Sequence, residues 1–201
     1  MDITTLPKTK GTVLEIRSKR VRLERAIPTL ELKQKQLNFE CNRLQADLAK
    51  LRQEIKRAVS SIKAQALMLQ PEDFLKYIKI AEVSYQPESI AGIKVKSFKD
   101  LKFAPVYYSL FYTPPSLDNI LEQMKNIKRL MVQLAVMEEA YAILYKELRK
   151  VTQRINLFEK KLIPDYSEAE GYLMQRLDDM ERHATIIAKV AKSKFFEPSR
   201  A

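Results

Sequence analysis

The sequence predicts a mainly α protein: a long antiparallel two-helix coiled coil formed by the N- and C-terminal helices, with a small central segment containing a β-hairpin and short helices. Three observations carry this expectation. A heptad pattern fills the first third of the 201 residues, a second one fills most of the C-terminal half, and a stretch of different composition separates them. The expected organisation is an N-terminal coiled-coil helix over 1–70, a central hairpin, aromatic segment and foot helix over 71–139, and a C-terminal coiled-coil helix over 140–201.

In the first helix, Val13, Ile16, Leu23, Ile27, Leu30, Leu37, Cys41, Leu44, Leu48, Leu51, Ile55, Ala58 and Ile62 fall alternately three and four residues apart, with polar slots at Arg20 and Gln34. That alternation holds one narrow apolar seam toward a partner helix over roughly 75 Å, at 1.5 Å per residue. A helix of this length cannot cover its own seam. Pro28 interrupts the run, and a proline in a helix interior removes a backbone hydrogen bond, so a kink or local break is expected there, with the helix resuming at Thr29. Pro71 closes the helix.

The segment from Pro71 to Thr113 changes character. Ile80–Tyr85 and Ile90–Phe98 read as short strands joined by a turn at Gln86-Pro87-Glu88-Ser89. In the second strand Ile93, Val95 and Ser97 share one face, with Lys94 and Lys96 on the other. An aromatic-rich stretch follows, with Tyr107, Tyr108, Phe111 and Tyr112. Aromatics this dense either cap a small core or form a docking surface. Pro114 and Pro115 open the next helix, and Pro115 to Glu139 is expected to pack under the hairpin as a foot.

The partner seam is Ile127, Leu130, Leu134, Met137, Tyr141, Leu144, Leu148, Val151, Ile155, Phe158 and Leu162. The step from Leu162 to Tyr166 is a second consecutive four, a stutter that locally unwinds a supercoil, and Pro164 inside it should bend the helix. The register resumes with Tyr166, Leu173, Leu177, Met180, Ala184, Ile187 and Ala191. The ordinary reading is a pair of bundle helices, but globular helices average about a dozen residues and these patterns run far longer. Pairing two helices of similar length places Leu51 near Phe158, and Ile16 near the stretch Ile187 to Lys194.

Composition narrows the function. With 46 % apolar residues the chain is not disordered. No apolar run is long enough to span a bilayer, and the first ten residues lack the apolar stretch of a secretory signal. The one cysteine, Cys41, lies on the seam and reads as a small buried hydrophobe in an intracellular protein. Gly11, Gly92 and Gly171 are too scattered for a phosphate-cradling loop. With one histidine, His183, and one cysteine, metal sites and Cys–His catalysis have almost no ligands. The acidic doublets Asp178-Asp179 and Glu138-Glu139 are adjacent on a helix and point apart, as on a solvated face. No cofactor is expected, and the isolated chain reads as non-catalytic.

A net charge of +11 raises nucleic acid and acidic membranes as partners. Most basic residues alternate with Glu and Asp, as on any soluble coiled coil. Denser groups lie near the two ends: Lys8, Lys10, Arg17, Lys19 and Arg20 at one, Lys189, Lys192 and Lys194 at the other. If the helices pair antiparallel, both groups meet at one basic tip, suited to an acidic protein collar.

Four stretches resemble one family in order and spacing. They are Leu6-Pro7-Lys8-Thr9-Lys10 with Leu14, the run LELKQKQL from Leu30 to Leu37, IAGIKV from Ile90 to Val95, and RINLFEKKLIP from Arg154 to Pro164. Spread over nearly the whole chain, they resemble the D subunits of rotary V-type (A/V-type) ATPases. The resemblance implies a central-stalk rotor shaft that carries torque between an ATP-hydrolysing ring of A and B subunits and a membrane rotor moving H⁺ or Na⁺. It implies cytoplasmic residence, peripheral to the membrane, with no direct insertion and no nucleic acid. It implies that the small F subunit of the stalk binds at the hairpin and aromatic region, where Ile90, Gly92, Ile93, Val95, Tyr107, Tyr108, Phe111 and Tyr112 would dock it. It also implies a membrane-rotor adaptor at the foot and the basic tip inside the ring. The competing readings are a coiled-coil scaffold without motor role, a nucleic-acid-binding structural protein, and the gamma shaft of an F-type ATPase, for which the insert between the helices is too short.

Overall fold

In the computed structural model, residues 7–66, 78–105 and 117–196 are described. The elements run α1 (Lys10–Ala66), β1 (Ile80–Ile90), β2 (Ile93–Phe103), α2 (Leu117–Leu157), a π-turn (Phe158–Leu162) and α3 (Ile163–Phe196). The fold is mainly helical, with long N- and C-terminal helices and an antiparallel hairpin between them. The chain divides into two units, Met1–Leu32 with Val151–Ala201, and Lys33–Lys150.

α1 starts at a local cap. The Thr9 hydroxyl accepts a hydrogen bond from the Thr12 backbone N–H at 3.2 Å, satisfying one of the donors a helix start leaves open. The helix then runs through Pro28 without the expected break. Pro28 is exposed, so the carbonyl of Glu24, which loses its partner, lies on the face open to water, and the intact turns on either side carry the helix across. Pro28→Ala restores that bond on a solvated face. It should stabilise the protein by about 1–3 kcal/mol, read as a rise in the midpoint of thermal unfolding by circular dichroism.

The unit Lys33–Lys150 holds the larger core. Leu37, Cys41, Leu48 and Leu51 of α1 are buried, as are Ile120, Leu121, Val136, Ala140, Leu144 and Leu148 of α2. Leu37 and Leu144 have no exposed surface at all. The two helices run antiparallel here: Arg52 Nη2 pairs with Glu138 Oε1 at 2.7 Å, and further along α1 Val59 and Ile62 face the earlier α2 residues Met124, Ile127 and Met131. Leu51 therefore lies at the level of Glu138, more than five helical turns from the expected Phe158. Burial on α2 is also broader than the heptad seam: Val136 and Ala140 are buried, whereas Leu134, Met137 and Tyr141 are only half-buried. α2 has two things to cover it, α1 and the hairpin, and so needs a wider stripe than a coiled coil does.

The hairpin differs from expectation in its turn. β1 and β2 are eleven residues each, paired from Ile80↔Phe103 to Ile90↔Ile93, so the turn is Ala91-Gly92 and not Gln86–Ser89. Both turn residues have positive φ, 50° at Ala91 and 78° at Gly92, the requirement of a two-residue turn that follows strand twist. Pro87 sits within β1 opposite Lys96. Counting outward from the closing pair Ile90↔Ile93, Pro87 falls at a pair that exchanges no hydrogen bonds, where a missing N–H costs nothing. β2 turns Val95 and Leu101 inward and Lys94 and Lys96 outward.

In the other unit, Val13 and Ile16 of α1 bury against Ala169 and Leu173 of α3, with Tyr166, Tyr172 and Leu177 packed around them. Ile16 thus meets Ala169 and Leu173, not Ile187 to Lys194. The predicted stutter is taken up by the π-turn, in which the Ile163 N–H donates to the Phe158 carbonyl. Its widened turn sits directly before Pro164 and relieves the clash that the proline ring would make with the carbonyl four residues back.

Candidate functional site

The end of α3 is where this unit departs most from the sequence reading. Lys10, the first residue of α1, pairs with Glu181 at 2.8 Å. This contact draws the Glu181 carboxyl below its usual range and the Lys10 ammonium above its own, in each case first through the hydrogen bond and then through charge attraction. α3 continues beyond it to Phe196, about 20 Å at 1.5 Å per residue. Every side chain from Glu181 to Lys194 is exposed. Among them are Ile186, Ile187 and Val190, at 57, 68 and 48 % exposure. The seam position Met180 is also open, at 56 %, and is corrected accordingly: it lies at the last level that α1 reaches, beside the Lys10–Glu181 contact, and its side chain stays outside the packed cluster. Ala169, absent from the sequence-derived seam, takes a fully buried place there.

The basic residues sort differently from the expected tip. Lys10, Arg17, Lys19 and Arg20 each face a carboxylate: Glu181, Glu170, Glu15 and again Glu170. Lys8 is exposed beside the start of α1. Lys189, Lys192 and Lys194 are exposed on the part of α3 that outruns α1, two turns or more beyond the level of Lys10. The two groups do not meet at one level. The charge that remains outward at this end belongs to α3, where it alternates with Ile186, Ile187 and Val190.

The remaining seam positions are graded by depth. Leu148, Val151, Ile155 and Leu173 are buried, whereas Leu23, Ile27, Leu30, Leu44, Ile55, Phe158 and Leu162 are half-buried. Cys41 is buried, and loss of water around it pushes its thiol pKa up, which disfavours the reactive thiolate.

On the hairpin, Ile90 and Ile93 are half-buried and Gly92 is exposed at the turn, all reachable from solvent. Val95 is 4 % exposed. It lines a groove of about 420 Å³ with Val136, Met137 and Ala140 of α2, so its side chain is committed to the chain's own core and is removed from the docking set. Tyr107, Tyr108, Phe111 and Tyr112 lie outside the described residues. The outer strand β1 leaves Ile80 and Tyr85 exposed, and Lys96 Nζ sits 5.7 Å from the Tyr85 ring centre, a cation–π contact that orders the outer face. Among the described residues no cluster of His, Cys, Asp and Glu could hold a metal ion, and no helix is long and apolar enough to cross a membrane.

These features define an antiparallel coiled-coil protein with a hairpin inserted between its helices and one helix end left uncovered. Residues 12–193 match the family of ATP synthase D subunits, and the chain belongs to that family. It is 32 % identical over 190 residues to the V-type ATP synthase D subunit of Chlamydia pneumoniae, covering 92 % of this chain and 91 % of the relative. It is 27 % identical over 184 residues to the V-type ATP synthase D subunit of Borreliella burgdorferi, covering 88 % of each. It is 27 % identical over 202 residues to the A-type ATP synthase D subunit of Thermococcus sibiricus, covering 90 % of this chain and 91 % of that one.

Proposed function

We propose that this chain is the central-stalk component of a V-type ATPase/ATP synthase, a non-catalytic rotor shaft that transmits torque between a nucleotide-hydrolysing ring and a membrane ion-translocating rotor. The family match over residues 12–193 carries the assignment. The observation that supports a mechanical role is the pattern of α3, which keeps its heptad spacing past the Lys10–Glu181 contact. On this reading the helices of 1–70 and 140–201 form the shaft and 71–139 forms the segment that meets stalk partners.

The uncovered end of α3 is the part that enters the ring of A and B subunits. Ile186, Ile187 and Val190 would slide against apolar ring surface, and Lys189 and Lys194 would meet carboxylates around it. Apolar contact suits a rotating surface, because it is non-directional and does not lock one angle. The hairpin, with Ile90, Gly92 and Ile93 at its turn, is the docking place for the small F subunit, and a membrane-rotor adaptor binds at the foot. The chain acts on the aqueous side of the membrane, attached through its complex.

Co-expression with the A and B subunits tests this. A complex with sustained ATPase activity should form when the chain is present and be lost, or become uncoupled from ion movement, when it is omitted. Equal coupled activity with and without it would end the proposal.

A further inference from the structure

α1 carries a second apolar row, on the side away from its seam. Phe39 lies two residues from both Leu37 and Cys41, which are 0 % and 4 % exposed. Two residues on a helix are about 200° apart, so Phe39 points away from the packed side, and it is 68 % exposed. Leu32, seven residues before it, is 60 % exposed, and Ala46, seven residues after it, is exposed as well. The three form one row along an uninterrupted helix, stepping by about 10 Å at 1.5 Å per residue. Side chains three and four positions away flank such a row. Here they include the cations Lys35, Arg43 and Lys50 and no carboxylate. The acids of this stretch, Glu31, Glu40 and Asp47, stand off the row, and Glu40 and Asp47 line the groove beside the hairpin instead. Arg43 and Lys50 reach sideways to Glu40 at 3.7 Å and Asp47 at 3.3 Å, surface pairs that contribute little and yield to a better-placed carboxylate.

We propose that this outer row is a docking face for an amphipathic helix of another subunit in the assembled stalk, a site that rests on the stalk-component reading above. The apolar side chains of that helix cover Leu32 and Phe39, and its flanking Asp and Glu side chains meet Lys35, Arg43 and Lys50. A coiled-coil helix with one partner needs one apolar stripe; a second stripe opposite the first serves a second partner. The interval selects a helix, because two turns of a partner helix repeat at the same step of about 10 Å. An extended strand presents same-face side chains every ~7 Å and falls out of step after one contact. The charge selects an acidic partner. A second copy of this chain would bring cations against cations. Single-stranded nucleic acid would also meet the cations, but bases stack on rings, and Phe39 is the one aromatic residue in the row. Ala46 leaves room for a partner backbone to come close.

Thiol accessibility of Gln36→Cys, an exposed flank of the row, tests it in the full chain carrying Cys41→Ala. Maleimide labelling is compared between the isolated chain and the complex co-expressed with the ring and stalk subunits and purified by a tag on another subunit. Labelling in the complex should be slower by about tenfold or more. Zero-length carbodiimide coupling, which joins an amine to a carboxylate in contact with it, should link Lys35 or Lys50 to an Asp or Glu of one partner helix. The double reversal Lys35→Glu, Arg43→Glu should restore labelling and weaken that subunit's retention by about tenfold or more. Phe39→Ala should weaken it likewise. Helical circular dichroism should stay unchanged in both variants, since all three side chains are exposed. An assembled complex in which the Gln36→Cys thiol labels as fast as in the isolated chain overturns the proposal and leaves the stalk reading standing, whereas failure of any complex to form removes both. Undiminished retention in the double reversal overturns it too. So does protection of the isolated chain by a single-stranded oligonucleotide or by raising its own concentration, which assigns the face to nucleic acid or to a second copy.

Discussion

Removal of residues 182–201 should leave the helix pair folded and abolish coupled activity in the assembled complex. The described side chains from Arg182 to Lys194 are all exposed, so their removal uncovers no core among the described residues. The Lys10–Glu181 contact and the cluster of Val13, Ile16, Ala169 and Leu173 remain. Surface segments of this kind change stability by about 0.5 kcal/mol or less per position, so the unfolding midpoint of the isolated chain should move little. Coupled ATPase-driven ion transport should fall by more than about tenfold, because a lost mechanical contact in an axle is not compensated elsewhere and each 1.4 kcal/mol of lost coupling is a decade. The two measurements separate the outcomes. A collapse in thermal stability would mean that the segment is packed within the chain, and full coupling in the truncated complex would mean that it does not meet the ring.

The largest loss of stability should come from Leu144→Ala. Leu144 has no exposed surface, so truncating it removes buried methylene and methyl groups and leaves a cavity that long helices on either side cannot collapse. Such changes cost about 2–5 kcal/mol. For a chain of this size that lowers the unfolding midpoint by roughly 5–20 °C. Leu14→Ala is the matched control. Leu14 sits one residue from the buried Val13 but is 63 % exposed, and its loss should stay within about 0.5 kcal/mol. If both variants lost the same amount, burial within the chain would not be the origin of the stability. Leu37, equally buried in the same unit, should lose less in the Leu144→Ala background than alone if the two side chains share one cavity.

The long helices, their antiparallel pairing and the presence of a hairpin can be read from the sequence. Leu37, Leu144 and Leu173 follow from heptad spacing, because a narrow apolar stripe on a helix has only one use in water. The offset between the helices does not follow, and the reason is physical. A heptad seam fits its partner nearly as well after sliding by one repeat, so its apolar residues carry little information about level. The polar contacts that mark it, Arg20 with Glu170 in one unit and Arg52 with Glu138 in the other, are not paired by the heptad pattern. Arg20 stands out in the sequence as a blank in the seam, but its counterpart is visible only as the skipped position between Tyr166 and Leu173. The turn of the hairpin is missed for a different reason. Gln86-Pro87-Glu88-Ser89 has turn composition, yet a two-stranded ribbon leaves alternate N–H groups facing outward and accepts a proline there. Gly92, with φ of 78°, is the decisive residue. The irregularity at Pro164 is legible as a double step of four, but not its form, since a kinked α-helix and a π-turn answer the same clash.

The unaccompanied stretch of α3 obeys different rules from the rest of the helix. The unfavourable first turn of a helix is supplied by the packed residues before it, so residues 182–194 need only propagate. Ala184, Ala188 and Ala191 favour this, and Lys189, Lys192 and Lys194 complement the negative end of the helix dipole. With no second helix alongside among the described residues, the backbone amides there should be the most sensitive of the helix to temperature and salt. They should fray from the carboxyl end and exchange hydrogen with solvent far faster than those beside Leu173. A helix end that softens in this way can adjust to a partner surface before it stiffens.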